Sequence, residues 1–548
     1  MTRNRALTVV CVFVVGLMLS LGAGVAFQWP GPTQKELHEA FHDSSNWVYV
    51  DHDYHGTRFT GLNQIDTSNV TKLVKVCSHT FPEKEPSQTA PLAYAGIVYA
   101  TTAHYTLAMN GGTCNMIWQH KWEPQGPETL NTQRGAALKD GKVVRGTADG
   151  WLLALDAMSG QLVWSRQIAN SRDGYFISMP PMIVDDLVLI GPAGAEWAAK
   201  GWIGAFKLSN GDPVWKFNTV PDPGEPGAST WGTNPKVLKH GGGNVWTPMS
   251  YDTEQRLVYV PVGNPAPDFY DRDRPGANLY TNSIVALDAR TGKLAWYYQV
   301  TPHDVRDYDF THTSPVFTTD FAGSKHKVIA LTGKDGLLRL LDRDTRKLLY
   351  KVPFTTRENA EGKIGTQFVR ICPGVLGGHE WNGSSYSPML NTLFVPATDW
   401  CTQIRSAATA PDPEQMKKES GPFFFGGESK YEPWANAKGW LTAFDASTGK
   451  ELWKYESSKP MIGGVISTAG GLVFTGELTG DFRAFNARNG NVLYTNNVGG
   501  PIAGGLISYE SGGKQYVAVV SGYVGVYNQA APDLGGSNPT ITVLALKQ

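Results

Sequence analysis

An all-β chain, its four-stranded antiparallel sheets arranged in a ring as a β-propeller, is the fold that three features of this 548-residue sequence predict. One short motif recurs from end to end. Its copies are spaced at roughly 40 to 50 residues, the length of a four-stranded repeat. The composition, with 61 Gly, 17 Trp and 22 Tyr, suits many short strands joined by tight turns.

The motif reads Ala, an apolar residue, Asp or Asn, a turn with Gly, and then Trp or Tyr. An altered copy, AMNGGTCNMIW, ends at Trp118. Regular copies follow as ALDAMSGQLVW to Trp164, AFKLSNGDPVW to Trp215 and ALDARTGKLAW to Trp296. Later copies are LLDRDTRKLLY to Tyr350, AFDASTGKELW to Trp453 and AFNARNGNVLY to Tyr494. Each is an apolar strand, a turn built by Asp or Asn with Gly, and a second strand closed by an aromatic that packs between sheets. Another strand pair, such as GKVVRGTADGWL, precedes most copies. The gaps from Trp215 to Trp296 and from Tyr350 to Trp453 hold long insertions, expected to rise over one mouth of an axial pocket. The last strand, TITVLAL, is expected to complete a sheet begun near Trp47 to Val50 and so close the ring. No linker divides residues 27–548, which read as one domain.

Residues 1–26 carry Arg3 and Arg5, an apolar run and small residues ending at Ala26. That is the build of a secretory signal peptide, or of an uncleaved N-terminal membrane anchor, and either one exports the body of the protein. Beyond Cys11, four cysteines remain in an oxidising compartment, and local spacing favours Cys77 with Cys114 and Cys372 with Cys401. No CxxCH motif is present, so the chain carries no c-type haem. A formal net charge of -1 and the lack of any zinc-finger or RNA-binding signature argue against nucleic acid.

The most unusual stretch is TPHDVRDYDFTH, residues 301–312, which holds His303, Asp304, Asp307, Asp309 and His312. It is too acidic for a strand core. In extended backbone Asp307 and Asp309 share a face, where repulsion raises one pKa or demands a cation. A hard metal ion with oxygen ligands meets that demand and leaves a carboxylate to act as a base. Read alone, the stretch is first a solvated acidic loop, and its companions elsewhere in the chain are what turn the reading towards a site.

The repeat, together with GAE (Gly194–Glu196), VGNPAPD (262–268) and TPHDxxDYD in that order, resembles the quinoprotein dehydrogenases that use pyrroloquinoline quinone (PQQ). The resemblance spans the mature chain and is nearest to the alcohol dehydrogenase branch. It implies an eight-bladed β-propeller with quinone and metal on its axis. By similarity Glu196, Asn264 and Asp307 would hold the ion, Asp307 would also be the general base, and Asp309 would add a further ligand. The ion would be calcium or, given Asp309, a lanthanide. Trp246 matches the family's stacking tryptophan, Arg134 would pair with a quinone carboxylate, and Lys334 would donate to the quinone oxygens. Ser178, Gly194 and Ala195 match further cofactor contacts, and Gln88 stands where relatives often carry Glu.

The chain departs from the family in three places. Glu128 and Thr129 stand where alcohol-oxidising members have adjacent, disulfide-bonded cysteines. Arg306 precedes the expected base where Trp is common, and would depress the pKa of Asp307 if it pointed inward or solvate if outward. Thr398 stands in place of a metal-adjacent Asn. The implied activity is periplasmic oxidation of a small alcohol, with electrons passed to a separate cytochrome c. A sugar or polyol dehydrogenase and a non-catalytic propeller scaffold for envelope assembly are the alternatives.

Overall fold

The computed structural model describes residues 31–414 and 423–547, so the expected signal peptide lies outside the described residues. Nine sheets form among them, and eight follow one plan. Ala137–Lys139, Lys142–Gly146, Trp151–Asp156 and Leu162–Gln167, for example, pair antiparallel in chain order. The apolar residues alternate poorly along the middle strands, because neighbouring sheets cover both their faces. All six residues of Leu337–Asp342 are buried. The outer strand of each sheet alternates instead, as in Glu451–Ser457.

The motif's aromatic residues join one sheet to the next. The Trp118 indole donates to the Ala157 carbonyl (2.9 Å), Trp164 to Leu208 (3.0 Å), Trp215 to Ala289 (3.1 Å) and Trp453 to Ala487 (3.0 Å). Each ring lies over the turn glycine of the neighbouring sheet. At Gly211 a Cβ would sit 2.8 Å from the Trp164 ring, and φ there is +74°. Glycine is therefore required on both counts. The expected packing role of these aromatics is what the structure shows. One dock differs. The neighbouring turn of Trp296 carries Arg346 (φ 60°) in place of glycine, and the Trp296 indole N–H has no hydrogen-bond partner.

The chain ends meet, but not where expected. Thr540–Leu546 pairs with Leu73–Thr80 on one side and Lys514–Ser521 on the other. Trp47 to Val50 does not join that sheet. Residues 47–58 instead run along the first strands of several sheets. Trp47 bridges Ala93, and Tyr54, His55, Thr57 and Arg58 give their carbonyls to the N–H groups of Tyr251, Val316, Tyr386 and Ser467. The physical reason is that the first strand of each sheet has an edge without a ladder partner, and this segment satisfies those edges in turn.

The two long insertions are also visible. The second contains the ninth sheet, of Val369–Ile371, Thr402–Ser406 and Gly427–Tyr431. Disulfides join Cys77 to Cys114 and Cys372 to Cys401, as the spacing suggested. No helix among the described residues is long and apolar enough to cross a membrane.

Candidate functional site

Loops from several sheets converge on a cavity of about 560 Å³. Its lining includes Arg134, Ser178, Gly194, Ala195, Glu196, Trp246, Asn264, Asp307, Asp309 and Lys334, so ten of the eleven expected site residues meet there. Gln88 does not line it. That side chain is buried, its amide donates to the Val524 carbonyl (3.1 Å), and its Oε1 has no partner.

Local geometry explains each placement. Gly194 adopts φ +129° and opens the short 3₁₀ turn Ala195–Trp197, which projects Glu196. A Cβ on Gly194 would lie 2.2 Å from the Gly174 carbonyl oxygen, so only glycine allows this turn. Asp307 sits at φ 60°, not in extended backbone, so alternation is not what brings it together with Asp309. Lys334 does. Its ammonium lies 3.2 Å from Asp307 Oδ1 and 2.8 Å from Asp309 Oδ2. The other Asp309 oxygen accepts the Asn264 backbone N–H at 3.0 Å.

The remaining members of the 301–312 stretch are structural. Asp304 accepts the N–H groups of Arg306 (3.0 Å) and Tyr308 (2.7 Å) and thereby shapes the turn. His303 meets the Gly276 carbonyl (2.8 Å) and Asp271 (3.0 Å), and His312 meets the Glu380 carbonyl (2.7 Å). Arg306 turns away from Asp307 and donates to the carbonyls of Asn359 (2.9 Å), Glu361 (2.6 Å) and Gly362 (2.9 Å). It neither depresses the pKa of Asp307 at contact nor simply solvates; it anchors an insertion.

Charge in the cavity is unevenly matched. Burial pushes Asp307 well above the ordinary carboxylate range, with Lys334 opposing and Asp309 adding to the rise. Glu196 is raised by burial and then by Asp309. Two carboxylates escaped sequence reasoning. Asp268 closes the VGNPAPD motif. One of its oxygens lies within 4.8 Å of one oxygen each of Glu196 and Asp307. Glu380, in GGHEWNGSS, lines the cavity, and burial pushes it up to about 7. Thr398 is buried against the Tyr527 hydroxyl (3.2 Å) and does not line the cavity.

The cationic and aromatic side is equally defined. Arg134 donates to Ser178 Oγ (2.7 Å) and the Trp246 carbonyl (3.2 Å), and its guanidinium lies 4.6 Å from the Trp246 ring centroid and 5.4 Å from that of Trp381. Burial lowers its pKa to about 9. Phe176, Trp197, Phe423 and Phe425 form an aromatic wall through contacts of 5.0 to 5.5 Å. Beside Thr129, Glu128 takes His104 at 2.9 Å, and His104 also meets Glu83 at 2.7 Å. Those two carboxylates, Glu128 foremost, hold the imidazolium up to about 10.

These residues fit a hard cation beside a flat, anionic, aromatic group. The carboxylates supply oxygen ligands only, and Asp268 Oδ2 and Glu380 Oε1 are buried without partners. Arg134 and Lys334 supply positive charge against the exposed part of the Trp246 ring.

Comparison with known proteins is consistent with that chemistry. The family model for the PQQ glucose/ethanol/alcohol dehydrogenase β-propeller domain matches residues 47–364 and 454–517. The chain is 31% identical to the quinoprotein alcohol dehydrogenase PedH of Pseudomonas putida, over 88% of this chain and 86% of that one. It is 31% identical to the dehydrogenase subunit of the quinone alcohol dehydrogenase of Gluconobacter oxydans, over 93% and 76%. Among solved structures, the quinohemoprotein alcohol dehydrogenase ADHIIG of Pseudomonas putida superposes with a TM-score of 0.87 at 27% identity, covering 93% of this chain and 82% of that one. A europium-containing methanol dehydrogenase superposes with 0.84 at 26%, covering 93% and 100%.

Proposed function

The chain belongs to the PQQ-dependent alcohol dehydrogenases, and on that footing we propose that it oxidises a small alcohol in this cavity. The observation that carries the reading is the meeting of Asp307, Lys334, Arg134 and Trp246 around one cavity with surplus carboxylate. Glu196, Asn264, Asp307 and Asp309 would hold a hard ion, calcium or a lanthanide. Arg134, Ser178, Gly194, Ala195, Trp246 and Lys334 would hold the quinone. When bound, the quinone accepts the electrons of the substrate, and the ion withdraws charge from it.

The chain's own part is acid–base chemistry and positioning. Asp307 takes the hydroxyl proton of the alcohol, a task suited to a buried carboxylate that lines the cavity. Lys334 fixes the Asp307 carboxylate and places positive charge where negative charge develops. Phe176, Trp197, Phe423 and Phe425 give the cavity an apolar, aromatic side for the carbon part of a substrate. That aromatic side supports a small alcohol over a sugar or polyol. A scaffold role gives no account of the buried carboxylates. The eight repeat sheets are read as eight blades of one ring. The two disulfides support an exported, periplasmic protein. A separate cytochrome c is the acceptor this reading assigns, since the chain has no haem-attachment motif.

The test is dye reduction by metal-stripped protein reloaded with PQQ and either calcium or lanthanum, with ethanol and sorbitol as substrates. Ethanol-dependent reduction that needs both additions is expected. No alcohol-dependent reduction under any combination would remove the reading.

A further inference from the structure

We propose that Asp268 is a further carboxylate ligand of the metal centre, an inference that rests on the metal-dependent reading above and extends it to a residue outside the expected ligand set. Its carboxylate belongs to the group in which Glu196, Asp268 and Asp307 each bring an oxygen within 4.8 Å of the others. Asp268 is only 1% exposed, so water does not neutralise it. Its Oδ1 accepts from Asn264 Nδ2 at 3.1 Å, while Oδ2 has no partner among the described residues. A buried, unpartnered carboxylate oxygen beside two further carboxylates is costly unless a cation joins them.

Among the described residues no cationic side chain is hydrogen-bonded to Asp268 Oδ2. Lys334 is committed to Asp307 and Asp309. Arg274 comes near, but its Nη groups donate to Asn278 Oδ1 (2.8 Å) and to the carbonyls of Pro267 (2.9 Å), Asp268 (3.3 Å) and Asp304 (2.8 Å), not to the Asp268 carboxylate. Those bonds, and that from the Phe269 N–H to the Phe425 carbonyl (2.8 Å), pin the backbone on either side of Asp268. The backbone thus holds Asp268 at a buried position. The bond from Asn264 Nδ2 also decides which way that amide faces, so Asp268 orients one oxygen donor of the centre as well as being one.

An added carboxylate changes selectivity in a definite direction. The attraction lost on removing one charge scales with the charge of the ion, so a trivalent ion depends on Asp268 more than a divalent one. The alternative is a proton shared between Asp268 and a neighbouring carboxylate, with no contact to metal.

The experiment titrates the metal-stripped, PQQ-loaded full chain with terbium, read as tryptophan-sensitised luminescence, and with calcium by competition. Asp268→Asn preserves shape and the bond from Asn264. It should weaken terbium binding by more than about a hundredfold, beyond the loss typical of an outer-shell partner that only orients a ligand, and calcium binding by a smaller factor. Asp268→Glu keeps the charge and should stay nearer to wild type, which guards against a simple folding defect. Unchanged terbium affinity in Asp268→Asn, with Asp307→Asn weakened, overturns the role of Asp268 and leaves the metal centre standing. Failure of the wild type to bind either ion overturns both readings.

Discussion

Two regions of this molecule bury several charged side chains, and they do so in opposite ways. In the segment at 51–58, Asp51 pairs with Arg58 and Asp53 with His52 and the Thr57 hydroxyl, all of them almost free of solvent. Each carboxylate there has a donor from the same dozen residues. Around the cavity, the five carboxylates of Glu196, Asp268, Asp307, Asp309 and Glu380 outnumber their buried cationic neighbours among the described residues, Lys334, Arg134 and Arg274. Burial of charge is therefore no mark of a site by itself. An imbalance of buried charge is, because the missing partner must arrive from outside.

The largest expected effect breaks the balanced cluster. Arg58→Met leaves Asp51 buried and unpaired, and should cost about 3 to 5 kcal/mol in a urea melt. Terbium binding by the fraction that remains folded should be unchanged. A loss below about 1 kcal/mol would show that the pair is not what holds this segment.

Next comes the unbalanced cluster. Asp307→Asn keeps an oxygen but removes the base, so the turnover of alcohol should fall by about a hundredfold or more. Stability of the metal-free protein should not fall, since one of several crowded carboxylates is gone. A variant that turns over at the wild-type rate would place the base elsewhere.

Supplying the missing charge should act on one cluster alone. Lanthanum at a hundredfold excess over its dissociation constant should raise the stability of the quinone-loaded wild type by about 2.7 kcal/mol. The same increment should appear on top of the lower baseline of Arg58→Met. An increment that disappears in Arg58→Met would mean that the two clusters are coupled.

The smallest effect lies in the docks between sheets, which carry no charge. Trp164→Phe removes the bond to the Leu208 carbonyl and should cost about 1 kcal/mol. Trp296→Phe has no such bond to lose and should cost less. Equal losses in the two variants would show that ring packing, and not the hydrogen bond, sets the value of a dock.

The repeat was legible because its causes are local. An Asp or Asn in the turn, a glycine at positive φ and an aromatic at the end of the strand act within a few residues of one another and act alike in every copy. Even the exception at Arg346 can be read from LLDRDTRKLLY. Asp307 and Asp309 were legible as a pair, although the reason was different, since it is a left-handed residue and Lys334 that bring them together. Asp268 and Glu380 were not legible, because an acidic residue in a loop looks the same whether it faces water or another carboxylate.

The sequence by itself determined the strand repeat, the two disulfides, the family and most of the residues that line the cavity. Tertiary structure alone decided which strand closes the last sheet, that residues 47–58 serve the inner strand edges, that Arg306 faces away from Asp307, and that Asp268 faces Glu196. The physical reason is one of range. Turn chemistry and strand pattern act between near neighbours, whereas edge pairing and the net charge of a cavity are sums over residues hundreds of positions apart.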